Sequence, residues 1–207
     1  MQNKNTSYMN LDTTHKYALE EFAAKDPEKI SLNSAVEYDS SAQTFNVFFL
    51  QNNYTVKHPT GKILTTTGEK APLYFSIILL HYLNTADGTP LAGKWVSFKE
   101  LPGGQIYIEP FRKRAITPLV KVFGESPQKF MDAASRAGGF ANPQLGKNCM
   151  VIPVLPRVPV AFIIHPGDEE FEATANILFD ANATFYLPTE DYAHLPAIMV
   201  KTLQSLA

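Results

Sequence analysis

The sequence predicts an α+β fold in which antiparallel β-meanders pack with helices, and three observations predict it. Strand signals show in two separate blocks: "QTFNVFFLQNNYTVKHPTGKIL" (43–64) alternates, and "CMVIPVLP", "VPVAFIIH" and "ATANILFD" between 149 and 180 are β-rich runs separated by turns. "PLYFSIILLHYLN" (72–84) is apolar nearly all round and long enough for a buried central helix. Fifteen prolines punctuate the chain, several directly after a capping residue. Strands and helices thus come in blocks, which is the α+β order. No composition shift marks a linker, so one domain over 1–207 is expected, with 1–12 flexible.

Taken in order, "TTHKYALEEFAAK" (13–25) brings Tyr17, Ala18 and Phe22 near one face and reads as a helix. Asp26-Pro27 starts a short helix over 27–33. The first meander turns at Asn52-Asn53 and again at Pro59–Gly61. The central helix ends at Asn84. Residues 95–114 mix short strand and loop. Thr117-Pro118 and Ser126-Pro127 start helices over 118–123 and 127–137, stopped by Gly124 and by Gly138-Gly139. Prolines at 153, 156 and 159 make the first run of the second block an edge strand or a polyproline-like segment. Thr189 reads as an N-cap with Glu190 and Asp191 in the first turn, and Pro196 kinks that helix or starts another.

Hydrophobic residues make up 45% and charged residues 18% of the chain, an ordinary globular composition. Fourteen Phe and nine Tyr make an aromatic core the expectation. A net charge of -2 leaves no basic footprint for nucleic acid. The polar N-terminus shows no signal-peptide core, and the longest apolar runs are too short to span a bilayer. The chain reads as soluble and cytoplasmic, without a membrane or nucleic-acid partner. Cys149 is the single cysteine, so no intrachain disulfide and no four-cysteine cluster can form; a buried inert thiol is expected.

Two surfaces carry candidate chemistry. Nine ionisable groups fall within the thirty residues from His165 to His194. Of these, His165, Asp168, Glu170 and Asp180 are candidate metal ligands or a base, a set suited to Mn, Mg, Fe or Zn in a hydrolase. No H-E-x-x-H spacing is present, and a hairpin of 158–165 with 173–180 would put His165 and Asp180 at opposite ends. The plainer reading is a wet turn at "HPGDEEF", with Asp180 capping "DANAT". The second surface is "WVSFKELPGGQIYIEPFRKRA", where Trp95, Lys99, Tyr107 and Arg112 can grip an anion or a flat ring. Its Pro-Gly-Gly loop permits a close backbone approach. The plainer reading there is a Trp-centred core with a solvated basic edge. No nucleophile elbow occurs. His81 reads as a core histidine, and His15 and His58 as surface residues.

"LLHYLNTADGTPLAGKWVSFKELPGG", "FGESPQKF" and "LPRVPVAFIIHPGDEEFEATANILFDANATFYLPTEDYAHL" together resemble a prokaryotic family, domain of unknown function 3786, from about residue 15 to the C-terminus. The resemblance rests on long strings in order and assigns no catalytic residue. It implies a protein of anaerobes. Some members resemble fusions with a four-cysteine iron–sulfur domain of the kind seen beside corrinoid enzymes. A chain with one cysteine would serve such metabolism in trans.

The favoured expectation is a non-catalytic accessory module that binds a small molecule, cofactor or partner protein at Trp95, Lys99, Tyr107 and Arg112. Alternatives are the metal-dependent hydrolase and a structural subunit whose "VIPVLPRVPV" adds a strand to a partner. Substrate and cofactor stay unassigned.

Overall fold

The structure, a computed structural model, describes residues 11–207. The flexible lead expected over 1–12 lies outside them except for Leu11 and Asp12, which open a helix. The chain forms two compact units. One runs to Val47 and resumes over Asn52–Gly88; the other takes Phe48–Gln51 and Thr89–Ala207. Helices and two antiparallel sheets make the class α+β. No helix among the described residues is long and apolar enough to cross a membrane.

In the first unit, α1 (Leu11–Ala24) buries Ala18 and Phe22, while Tyr17 is 66% exposed and faces away. Asp26 caps α2 (Pro27–Ser34), its Oδ1 accepting the Glu28 N–H at 3.0 Å. The apolar α3 (Leu73–Thr85) is buried along most of its length. The Tyr82 hydroxyl on α3 donates to the Ser34 carbonyl at the end of α2 at 2.5 Å, which ties the two helices together. Strands β1 (Tyr38–Asp39), β2 (Thr44–Phe49), β3 (Asn52–Lys57) and β4 (Lys62–Thr65) lie side by side in sequence order, as a meander should. Their alternation buries Phe45, Val47, Tyr54, Val56 and Ile63. Gly61 turns with a left-handed φ of 63°, which favours glycine, and a Cβ there would stand 2.2 Å from the Leu19 Cδ2, so that side chain would have to move.

Two expectations fail here. The β2–β3 turn sits at Leu50-Gln51, both left-handed (φ 50° and 66°), and Asn52-Asn53 open β3 instead. His58 is only 9% exposed rather than a surface residue. It stands edge-on to Phe22 at 5.2 Å, and its Nε2 lies 3.1 Å from the Lys25 carbonyl. A carbonyl only accepts, so Nε2 carries the proton.

The second unit is built on a sheet of order β5-β9-β8-β7-β6: β5 (Trp95–Ser97), β9 (Thr174–Asp180), β8 (Val158–His165), β7 (Cys149–Leu155) and β6 (Phe140–Ala141). β7 is not an edge strand. Its prolines are tolerated because β6 covers only Met150 and Val151, and because Pro153 faces Pro159 where the ladder slips. On one face Phe179 meets Phe98, Phe111 and Tyr192 at 5.1–6.3 Å, with Phe98 stacked on Phe111 at 4.3 Å. The opposite face buries Cys149, Val151, Ala161 and Ile163. Burial pushes the Cys149 thiol up to about 11, an inert thiol as its sequence context implies.

Beyond Ser97 the segment expected as strand and loop is helical. The Ser97 backbone N–H and hydroxyl both donate to Glu100 Oε2 (2.8 and 2.6 Å), closing a tight turn over Phe98–Glu100. After a second tight turn, α4 (Ile108–Phe111) passes through a π turn (Arg112–Ile116) into α5 (Thr117–Phe123) without a break. Pro118 therefore lies inside a helix and starts none. The wider π turn ahead of it accommodates the missing N–H and the ring. Gly124 ends α5 with ordinary helical φ; a Cβ there would strike the Val120 carbonyl oxygen at 2.6 Å. α6 (Pro127–Arg136) stops at left-handed Gly138, and α7 (Thr189–Tyr192) precedes α8 (Leu195–Ser205), which Pro196 starts.

Truncating the stacked aromatic tests this core. Phe111→Ala is expected to cost about 3–5 kcal/mol, the usual range for a buried Phe, read as a shift in the urea unfolding midpoint.

Candidate functional site

The four residues first expected to bind a ligand are strung along consecutive short elements of the second unit. Trp95 is half-buried on β5 and packs against the Cys149–Ile163 cluster, so its indole serves the core. Lys99, Tyr107 and Arg112 are solvent-exposed. The close approach of the Pro-Gly-Gly loop is used by the chain itself: a Cβ on Gly104 would lie 1.9 Å from the Phe98 carbonyl oxygen.

The proposed metal ligands are not brought together. Antiparallel pairing sets His165 opposite Thr174 and Val160 opposite Phe179, which leaves Asp180 about 20 Å from His165 along the strands. Asp168 spends its carboxylate on its own turn, its Oδ1 accepting the Glu170 and Phe171 N–H groups at 2.9 and 2.8 Å. Those bonds hold its carboxyl below the usual aspartate range. With Glu125 the turn lines an open acidic depression of about 560 Å³. Asp180 is 3% exposed and fully engaged. Its Oδ1 accepts from the Ala92 and Asn182 N–H groups (2.9 and 2.8 Å), and its Oδ2 from Gly93 at 2.8 Å. Among the described residues, no group of three or more His, Cys, Asp or Glu side chains is placed to hold a metal ion. Those four residues therefore do not form one ligand set, and Asp180 caps the turn that follows it, as its sequence context suggests.

The structure does join two groups that spacing kept apart. Arg114, from the π turn, sets its Nη1 3.3 Å from Nε2 and 3.5 Å from Nδ1 of His194. Burial first, and the guanidinium second, push His194 below the usual histidine range, against the opposing pull of Asp191.

A polar cleft in the first unit was missed at the sequence level. It has a volume of about 440 Å³, between the start of α2 and the end of α3, and is lined by Lys25, Asp26, Lys29, Asn33, Asn84 and Asp87 over an apolar floor that includes Ile30 and Leu83. Hydrogen bonds build its wall. His58 Nε2 donates to the Lys25 carbonyl, and Lys25 Nζ bonds the Asn84 carbonyl while pairing with Glu21 at 2.7 Å. Asn84 Nδ2 donates to the Ala18 carbonyl at 2.9 Å. That last bond fixes the orientation of the amide, since a carbonyl needs the NH₂ end. Asn84 is 6% exposed, and its Oδ1 is buried with no hydrogen-bond partner. An acceptor buried this way costs about 1–3 kcal/mol until something donates to it. One sequence signal pointed here: a lone amide in the last turn of an otherwise apolar helix.

No curated protein and no solved structure matches this chain. The model of one family does, described as Domain of unknown function (DUF3786), over residues 26–202, and the chain belongs to that family. The match takes in every cleft residue except Lys25.

Asp180→Ala strips three backbone donors of their acceptor and is expected to cost more than about 3 kcal/mol, whereas Asp168→Ala, on an open turn, leaves the melting temperature close to wild type. His194 has a folded value below its unfolded one of about 6.5. Its contribution to stability is complete above that pH and is lost as pH falls through the folded value. Urea midpoints taken across that window will drop less steeply for His194→Gln than for the parent.

Proposed function

We propose that this family member is a non-catalytic accessory module that binds a small polar molecule, with its seat in the cleft between α2 and α3. One observation carries the reading: Asn84, whose amide oxygen is buried without a hydrogen-bond partner, is among the residues lining a cleft large enough for a metabolite. The bonds from Asn84 Nδ2 to the Ala18 carbonyl and from Lys25 to the Asn84 carbonyl hold the wall of that cleft in place ahead of binding. The remaining lining groups are ammonium, amide and carboxylate, which position a molecule by charge and hydrogen bonding. Lys99, Tyr107 and Arg112, open to solvent, offer a surface for a partner rather than a seat. A connection to iron–sulfur or corrinoid metabolism enters as a choice of probes.

A thermal-shift panel of amino acids, nucleotides, sugar phosphates, polyamines and corrinoids tests the seat. A ligand present at about 100 times its Kd adds about 2.7 kcal/mol and raises Tm by several degrees. Asn84→Leu should erase that rise. Hits that bind Asn84→Leu as tightly as the parent, or a panel without any hit, would overturn the reading.

A further inference from the structure

We infer that this chain pairs with a second copy of itself. The aromatic and basic start of the helix that runs from α4 into α5 docks on the acidic turn between β8 and β9 of the other copy, and an antiparallel pair makes that contact twice. The exposed surface at Lys99, Tyr107 and Arg112 thereby gains an occupant. The pairing does not depend on the cleft, since all its residues lie in the second unit.

Each patch sets exposed apolar side chains among charges of one sign. At the first, Ile106 is 79% exposed and Tyr107 41%, and the exposed cations are Lys99, Arg112 and Lys113. The tight turns, α4 and the π turn that carry them pack on one another in succession. Two acids lie in this stretch. Glu100 is taken up by Ser97 and stands near Lys94 and Lys99, which leaves Glu109 against Arg112 and Lys113. At the second patch, Phe171 is 71% exposed among Glu169, Glu170 and Glu172, and Glu125 joins them around the same depression. No lysine or arginine occurs from Val158 to Val200, so the strands on either side of the turn bring no neutralising charge.

The two patches stand at opposite ends of one rod. Ile108 to Phe123 run as a continuous helix through the π turn, and a Cβ on Gly124, just past its end, would stand 2.8 Å from that of Ala173 in the acidic turn. Lys113 and Glu125 are twelve residues apart in the chain, on the order of 18 Å along the axis. Exposed charges act over only ~8 Å at physiological salt. Among the described residues, the side chains of Arg112, Lys113, Glu125, Glu169, Glu170 and Glu172 accordingly form no ion pair. Two copies laid antiparallel bring each basic start to the other's acidic end. Both contacts then form in one closed, two-fold pair, the commonest symmetry of homo-oligomers. Each contact sets Ile106 and Tyr107 against Phe171, with the charges around them.

Sedimentation of the full chain from micromolar to near-millimolar concentration tests the pairing. A monomer–dimer equilibrium is expected, about tenfold weaker when salt rises from about 0.05 M to about 0.5 M, because exposed charges are screened. Arg112→Glu with Lys113→Glu should weaken the dimer about tenfold or more, since like charges then meet, and so should Glu169→Lys with Glu170→Lys. All four changes in one chain restore complementary patches at the parent's net charge and should return the affinity to near that of the parent. Phe171→Ser should weaken the dimer as well. These side chains are exposed, so the melting temperature of the monomer should stay that of the parent. A chain that remains monomeric throughout overturns the inference, as does a dimer indifferent to the charge reversals, or a fourfold variant that pairs no better than its two parents. None of these outcomes bears on the cleft.

Discussion

Three backbone N–H groups converge on the buried carboxylate of Asp180, and the architecture of the second unit follows from them. β5 has only three residues, too few to hold itself by ladder bonds. It is delivered by the strap ahead of it. Ala92 and Gly93 donate to Asp180, Lys94 accepts from the Ala181 N–H, Pro90 from the Asn182 amide, and Thr89 from the Tyr186 hydroxyl. With the strap in place Trp95 falls opposite Asp180 in the ladder, the Ser97–Glu100 turn closes, and Phe98 reaches the Phe111–Phe179 stack. Burying a charge is expensive unless donors replace its water. Here they do, and every donor is main chain, so the arrangement depends on backbone path as much as on side-chain identity.

Asn84 is the counterpart in the first unit, and the contrast between the two is informative. Both are buried polar side chains at the end of a largely apolar element. Asp180 is saturated by its own chain. Asn84 spends its donor on Ala18 and leaves its acceptor empty beside an open cleft. A satisfied buried group stabilises a fold. An unsatisfied one costs stability for as long as nothing donates to it.

Local chemistry decided what could be read in the sequence. The Asp26-Pro27 start, the largely apolar run of α3 and the β-rich runs of β8 and β9 depend on neighbours a few residues away, and the structure has them where the sequence places them. Pro118 misled because the relief for an interior proline is a π turn, which no local preference announces. β7 misled because the cost of its prolines depends on how far β6 extends. The cleft was illegible for a stronger reason. Lys25 and Asn84 are 59 residues apart, and neither carries a motif. The acidic turn, by contrast, drew attention by its composition and proved to be occupied with its own backbone.

The left-handed turn at Leu50-Gln51 has a consequence for how this chain reaches its native pairing. Moving the turn two residues along, to Asn52-Asn53, would keep Phe45, Val47, Tyr54 and Val56 on the same face, because strand periodicity is two. Asparagine also tolerates positive φ better than leucine or glutamine does. Local preference and hydrophobic pattern therefore both admit a competing register. The Gln51 side chain, whose Nε2 donates to the Ala137 carbonyl at 2.6 Å, helps to select the observed one. The hairpin is a frustrated element, in which local preference alone does not select the observed register.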